Sequence, residues 1–405
     1  MLTLKNILTL DGNVEDRQIE STVDQVIDGK GKLTAFPGVI DTHVHFRTPG
    51  HEHKENWMTA AAAAVRGGVT VVFDMPNNDP PCTTKEALEA KKQLIDEQLA
   101  RAGIPLNYKL YFGATKDHFD QIGLVRDEVV GIKIYMGSST GGLLMDEQTA
   151  LDRAFQLAAQ NNLLVAVHAE DEEILEANKK KYAGDNNPAV HSKIRSRDAA
   201  IKATEEAIHL TQKYDAQLLI CHVSTKEEIE LIRKAKNSEL LVYAEVTPHH
   251  LFLSEDDYEK WGTKVQVNPP LRTKEDQQAL WEAIADGTVD FYGTDHAPHT
   301  VEEKKADYGN APSGIPSLEL MFPLLLNAYN DGCITLERIL EITRINAERA
   351  FGIPRTHDTV LVDLNMTKEV DDALLKTKCG WSPYAGRSLK GWPVYTILNG
   401  QVFPC

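Results

Sequence analysis

Little in this chain marks a secreted, membrane-spanning or nucleic-acid-binding protein. Its 405 residues hold five cysteines, Cys82, Cys221, Cys333, Cys379 and Cys405, scattered and without a CxxC pair. That odd, dispersed set gives no disulfide framework, and a reducing cytoplasm is the expected compartment. No apolar run approaches the roughly 20 residues that a membrane helix needs. The opening MLTLKNILTLDGN lacks a basic flank before an apolar core, so no signal peptide is expected. Basic residues are the minority, 43 Lys and Arg against 60 Asp and Glu, for a net charge of −17. That balance argues against nucleic acid and anionic membrane as partners. An acidic protein can still bind an anionic small molecule in a locally basic pocket. Repeats, low-complexity segments and long linkers are also missing.

What is there reads as α/β. The length exceeds the roughly 250 residues typical of one α/β barrel, so a barrel plus a small extra domain is expected. Eight short apolar, β-branched runs stand out: GVIDTHV, VTVVFDMP, NYKLYFGA, VGIKIYMG, LLVAVHA, AQLLICHV, ELLVYAEV and VDFYGTD. Most alternate with stretches of helical periodicity such as TKEALEAKKQLIDEQLARAG, SRDAAIKATEEAIHLTQKY and TKEEIELIRKAKN. Strand–helix alternation implies parallel pairing through right-handed crossovers, and eight such units close into a (β/α)8 TIM-like barrel. Both ends return to strand patterns, with a hairpin signal at Asn399-Gly400. The expected division is a barrel over 39–355 and a small β subdomain from 1–38 and 356–405.

Polar residues follow several of these runs at once. His43 and His45 end the first, His168 and His222 close two others, and Asp295 follows the last. Two residues apart on an extended segment, His43 and His45 point the same way, as chelation from one strand end requires. A lone HxH pair is a weak signal, and a single buried histidine is more often a hydrogen-bonded core residue. Four histidines and an aspartate at strand ends of one barrel favour a metal site at the barrel mouth. Lys133 lies inside GIKIY between two isoleucines. Burial lowers a lysine's pKa, and a neutral amine can take up carbon dioxide to become a carbamate, an anionic ligand able to bridge two metals. The plain alternative is a lysine reaching solvent at the barrel rim.

The segments GVIDTHVHFRTPG, DMPNNDPP, GIKIYMGSSTGG, VHAED, CHVST, TPHHL, NPPLR, GTDHAPHT and KCGWSPY together resemble the dihydroorotases, in the cyclic-amidase branch of the amidohydrolase superfamily. The likeness runs from about Pro37 to the C-terminus; HVHFR and MPNN are its more specific parts. It implies two Zn2+ per chain, one held by His43, His45 and Asp295, the other by His168 and His222, with carboxylated Lys133 and a hydroxide between them. It implies reversible hydrolysis of L-dihydroorotate to N-carbamoyl-L-aspartate, a step of pyrimidine synthesis, with Asp295 as proton carrier. It assigns Arg47, Asn77 and His299 to the substrate carboxylate, and places Asn268, Ser313 and Gly314 near the ring. Asn77 and Asn268, each beside proline, could instead only shape their loops. Ser139 and Thr140, just past Lys133, are candidate lid residues; a fixed turn is the alternative. The segment APSGIPS departs from the family's glycine-rich loop ending, and the N-terminal strands look shortened. A homodimer is expected. Rival readings are a hydantoinase, dihydropyrimidinase or allantoinase, whose substrates would leave Arg47 unexplained, and a non-catalytic partner subunit, which would have lost ligands.

Overall fold

The computed structural model describes residues 1–405 except Thr22, Thr140 and Gly141. Eight parallel strands run in sequence order around one sheet: β1 (Val39–Val44), β2 (Val69–Asp74), β3 (Asn107–Gly113), β4 (Gly131–Tyr135), β5 (Leu164–His168), β6 (Gln217–Ile220), β7 (Val242–Val246) and β8 (Phe291–Tyr292). β8 is only two residues long, because the chain leaves the ladder at Gly293 to enter the site. Closure comes from just past it: His45 N donates to the His296 carbonyl at 2.9 Å, and Val44 bridges His296. The expected (β/α)8 barrel is therefore the observed one.

The sequence explains the strands' burial. β1, β2, β4 and β5 are buried along their whole length, as both faces of a parallel sheet covered by helices demand. Helices start where side chains can take the first free amides. Asn56 accepts from Met58 N and Thr59 N, and Thr225 forms a reciprocal cap with Glu228, three residues on. One helix, Glu172–Lys181, has a single buried side chain, Leu175, so its apolar period is nearly invisible. The segment TLERILEITRINAERAFG is helical but not uniformly so: Glu341–Ile345 widens into a π turn between two α segments.

Strands from the two ends of the chain pair in a second, seven-stranded sheet. Leu33–Pro37 lies antiparallel to Thr359–Asp363, and Ser388–Leu398 and Gln401–Pro404 form the hairpin around Asn399-Gly400. Both turn residues have positive φ, 48° and 74°, as that two-residue turn requires. Leu2, Leu4, Ile7, Leu361 and Ile397 form this sheet's own buried core. Among the described residues, no helix is long and apolar enough to cross a membrane.

Candidate active site

The carboxyl ends of the strands surround a small cavity. Its lining includes His43, His45, Lys133, His168, His222 and Asp295, so the six expected ligands converge from five strand ends. Arg47, Asn77, Asn268, Ser313, Gly314 and Ser139 line it as well. His299 does not; it stands behind Arg47. Thr140 lies outside the described residues.

His43 and His45 are each held from behind. His43 Nδ1 meets Glu245 Oε1 at 2.7 Å, and His45 Nδ1 meets Asn77 Oδ1 at 2.7 Å. With the ring protons on Nδ1, both Nε2 lone pairs face one oxygen, Asp295 Oδ1, at 3.3 and 2.9 Å. Three acceptors pointing at each other repel unless a proton or a cation sits among them. Burial by itself would lower the His43 imidazole, but Glu245 and Asp295 outweigh it and push the pKa up to about 10. His45 goes the other way: burial holds it down at about 4 despite Asp295. Burial would raise the Asp295 carboxyl, yet the charge of His43 and the hydrogen bond with His45 keep it well below its ordinary range. This pocket draws positive charge, and the three ligand atoms lie within 4.8 Å of one another. A second group of three, His43, Cys221 and Glu245, meets the same distance.

His168 and His222 face each other on the opposite wall. His168 Nε2 is engaged by Glu170 Oε2 at 2.8 Å, so Nδ1 carries the lone pair, 3.1 Å from His222 Nε2. Those two nitrogens can share one proton or one cation. His222 Nδ1 is buried without a hydrogen-bond partner. Burial, and then the neighbouring His168, lower the His222 pKa far below its ordinary value, so its ring is neutral as a ligand must be. Lys133 does not reach solvent: it is 1% exposed, with Nζ 3.1 Å from Cys221 Sγ and no carboxylate paired with it among the described residues. A buried amine so poorly partnered fits conversion to an anionic carbamate better than it fits an ammonium. The donor set thus fits two divalent cations: four imidazoles, three of them fixed through their other nitrogen, and one carboxylate.

Arg47 does not continue the extended run of His43 and His45. β1 ends at Val44, and Arg47 has φ +63°, in the left-handed region. It reaches the cavity by a turn, not by continuing the alternation of His43 and His45. His222 and Asp295 also have positive φ, 40° and 45°. Three functional side chains on strained non-glycine backbone is a common mark of a site whose geometry the surrounding fold imposes.

The substrate side of the cavity is braced by its neighbours. Arg47 Nε donates to the Pro298 carbonyl at 3.2 Å, and Nη2 lies 3.2 Å from His299 Nε2. Lys54 can only donate to His299 Nδ1, at 3.1 Å, so the ring proton sits on Nε2, 3.1 Å from the Ser313 carbonyl. Burial and then Arg47 lower His299 to about 3, which keeps it neutral. Gly314 packs so closely that a Cβ there would stand 2.3 Å from the Ala297 carbonyl. Trp381 Nε1 donates to the His299 carbonyl at 2.8 Å, and Thr377 Oγ1 and Lys378 N donate to buried Glu55 at 2.6 and 3.0 Å. A C-terminal segment therefore braces the loop behind Arg47. His249 and His250, buried beside the site, show no ligand geometry; His250 contacts Thr247 and the Pro269 carbonyl.

Sequence spacing leaves out Glu245, Glu170 and Tyr135. Each has a signal of the kind already used. Glu170 and Tyr135 stand two residues beyond His168 and Lys133, and Glu245 is a carboxylate inside an apolar strand.

A model of the amidohydrolase family matches residues 34–402. A dihydroorotase of Methanosarcina acetivorans is 36% identical over 399 residues, spanning 94% of this chain and 84% of that protein. A dihydroorotase of Halobacterium salinarum is 34% identical over 421 residues, spanning 99% of this chain and 96% of its own. Among solved structures, an L-hydantoinase (dihydropyrimidinase) from Arthrobacter aurescens superposes with a TM-score of 0.91 at 28% identity, covering 99% of this chain and 95% of that one.

Proposed function

This chain belongs to the amidohydrolase family, and from that membership we propose that it is a zinc-dependent cyclic amide hydrolase that interconverts L-dihydroorotate and N-carbamoyl-L-aspartate in pyrimidine synthesis. The observation that carries the choice of substrate is Arg47. Its guanidinium is 3% exposed yet lines the cavity that His43, His45 and Asp295 also line. A ring bearing a carboxylate gives that buried charge a partner, whereas an unsubstituted ring leaves it unpaired. The dihydroorotases among the relatives support the same choice, and the hydantoinase likeness supplies the rival.

In this reading His43, His45 and Asp295 hold one Zn2+, His168 and His222 the other, with carboxylated Lys133 between. The two ions supply an ionised water near neutral pH and polarise the ring amide carbonyl. The chain's own residues do the rest. Arg47, with Asn77, grips the carboxylate, and the Pro298 carbonyl, accepting from Arg47 Nε, steadies the guanidinium. Asn268, Ser313 and Gly314 wall the ring. Asp295, ionised at the start of hydrolysis, takes the proton from the attacking water and hands it to the ring nitrogen as the C–N bond breaks. In the reverse direction Asp295 must begin protonated. Hydrolysis turns one neutral amide into a carboxylate and a neutral urea, releasing one proton at neutral pH. Each unit fall in pH therefore shifts the equilibrium about tenfold towards the ring, by proton linkage.

The purified enzyme, assayed with dihydroorotate, carbamoyl-aspartate, hydantoin and dihydrouracil in turn, tests the assignment. Preference for the first pair supports it; turnover of only the rings without a carboxylate refutes it. Arg47→Met sharpens the test. Charge-assisted hydrogen bonds contribute about 1.5–3 kcal/mol, so kcat/KM for dihydroorotate should fall about 10- to 150-fold. The loss for an unsubstituted ring should be far smaller, and equal losses would show that Arg47 does not read the carboxylate. Ser139, which lines the cavity, is proposed as a donor to bound substrate. Ser139→Ala should cost about 1 kcal/mol, roughly fivefold in kcat/KM, with the melting temperature unchanged. Lost stability at full activity would make it a turn residue only.

A further inference from the structure

Arg195 touches none of the groups assigned so far to substrate, yet it is buried against one of the proposed metal ligands. Its side chain comes from the short turn before the helix Arg197–Tyr214 and is 5% exposed. Nε meets Glu170 Oε2 at 2.9 Å, and Nη2 contacts the same oxygen. Glu170, fully buried, holds His168 Nε2 through that oxygen, and its other oxygen has no hydrogen-bond partner. Nη2 also donates to the Ser138 carbonyl at 2.9 Å. Ser138 N in turn donates to Glu172 Oε2 at 2.6 Å, and the next residue is the cavity-lining Ser139. Arg272 Nη1 donates to the Arg195 carbonyl at 2.6 Å, fixing the backbone from which the fork extends.

We infer that Arg195 is a positioning residue that ties the His168 metal ligand to the cavity wall at Ser138–Ser139. One arm acts through Glu170. The guanidinium anchors that carboxylate oxygen where it faces His168 Nε2, so Nδ1 is the ring nitrogen turned towards His222. The other arm holds the peptide from which Ser139 enters the cavity. Only a planar fork with several donors spans both. A lysine could pair with Glu170 but would offer a single nitrogen to two acceptors on different elements. The consequence is a link between metal retention and substrate affinity through one side chain. This inference rests on the proposed metal reading but not on the identity of the ring.

Two measurements on the purified enzyme test it. The first challenges the protein with a graded zinc chelator and reads zinc retained per chain, without substrate. Outer partners of ligating histidines typically affect metal affinity about 10- to 100-fold. Arg195→Gln should lose its more labile zinc at a chelator concentration lower by about that factor. Arg195→Lys should recover most of the retention, because the charge beside Glu170 is restored. The second measures kcat and KM with zinc in excess, on whichever cyclic amide the wild type turns over. There kcat should return to near wild type in both variants, while KM stays raised about fivefold or more, the cost of about one lost hydrogen bond at the wall. Wild-type zinc retention in Arg195→Gln overturns the first arm, and a KM restored by zinc alone overturns the second. If Arg195→Gln does not fold, Glu170→Gln replaces it: zinc loss with KM restored by excess zinc supports the division of roles, and unchanged retention overturns it. A wild type that ignores dihydroorotate but hydrolyses another ring overturns only the substrate assignment, since the zinc arm needs no substrate.

Discussion

Asp295→Asn should lower turnover by at least 100-fold, and by up to about 10⁴-fold, the range that a positioned general acid–base group contributes. The substitution keeps an oxygen near His43 and His45, within the geometry of 3.3 and 2.9 Å, but removes the capacity to accept and return a proton. Metal content must be measured alongside, because Asp295 is also a proposed ligand. Near-full metal with collapsed kcat separates the shuttle from the ligand role. A variant within about threefold of wild type would rule the shuttle out. The strained backbone at this residue, φ +45°, makes asparagine the fitting probe, since it tolerates the left-handed region better than most side chains.

Lys133→Ala should be equally severe by a different route. The amine is buried, 3.1 Å from Cys221 Sγ, and lines the same cavity as His168 and His222. If a carbamate on Lys133 joins the two zinc ions, the alanine variant loses metal and activity together. Formate, acetate or propionate, small enough for the vacated space, should restore part of both. Two metals per chain and normal turnover in Lys133→Ala would end the bridging proposal. A structure of the wild type grown with bicarbonate would read the carbamate directly.

The barrel was legible because its strands are buried on both faces. Such strands become continuous β-branched runs that local periodicity can find, and their ends carry the candidate ligands. His43, His45, Lys133, His168, His222 and Asp295 could all be read this way. What escapes is whatever is decided across the barrel. Glu245 meets His43 from a strand 202 residues away, and no local pattern records that meeting. Arg47 shows a different limit: it reaches the cavity through a left-handed turn beyond the strand, and its Nε meets the Pro298 carbonyl 251 residues away, which no local pattern records. His299, expected at the substrate carboxylate, lies next to Arg47 and outside the cavity lining. The helix Glu172–Lys181 escapes because one buried leucine does not make a period.

The brace from Trp381 and Thr377 has a bearing on how the enzyme is made. Every proposed metal ligand has left the ribosome once residue 295 has been synthesised and cleared the exit tunnel. The loop behind Arg47 still lacks the indole that holds the His299 carbonyl and the donors that hold Glu55, which come more than 75 residues later (295 to 377). A nascent chain thus carries every proposed metal ligand before it carries the segment that steadies the loop behind Arg47, and before the core residues Phe322, Ile339 and Val360 that the barrel packs against.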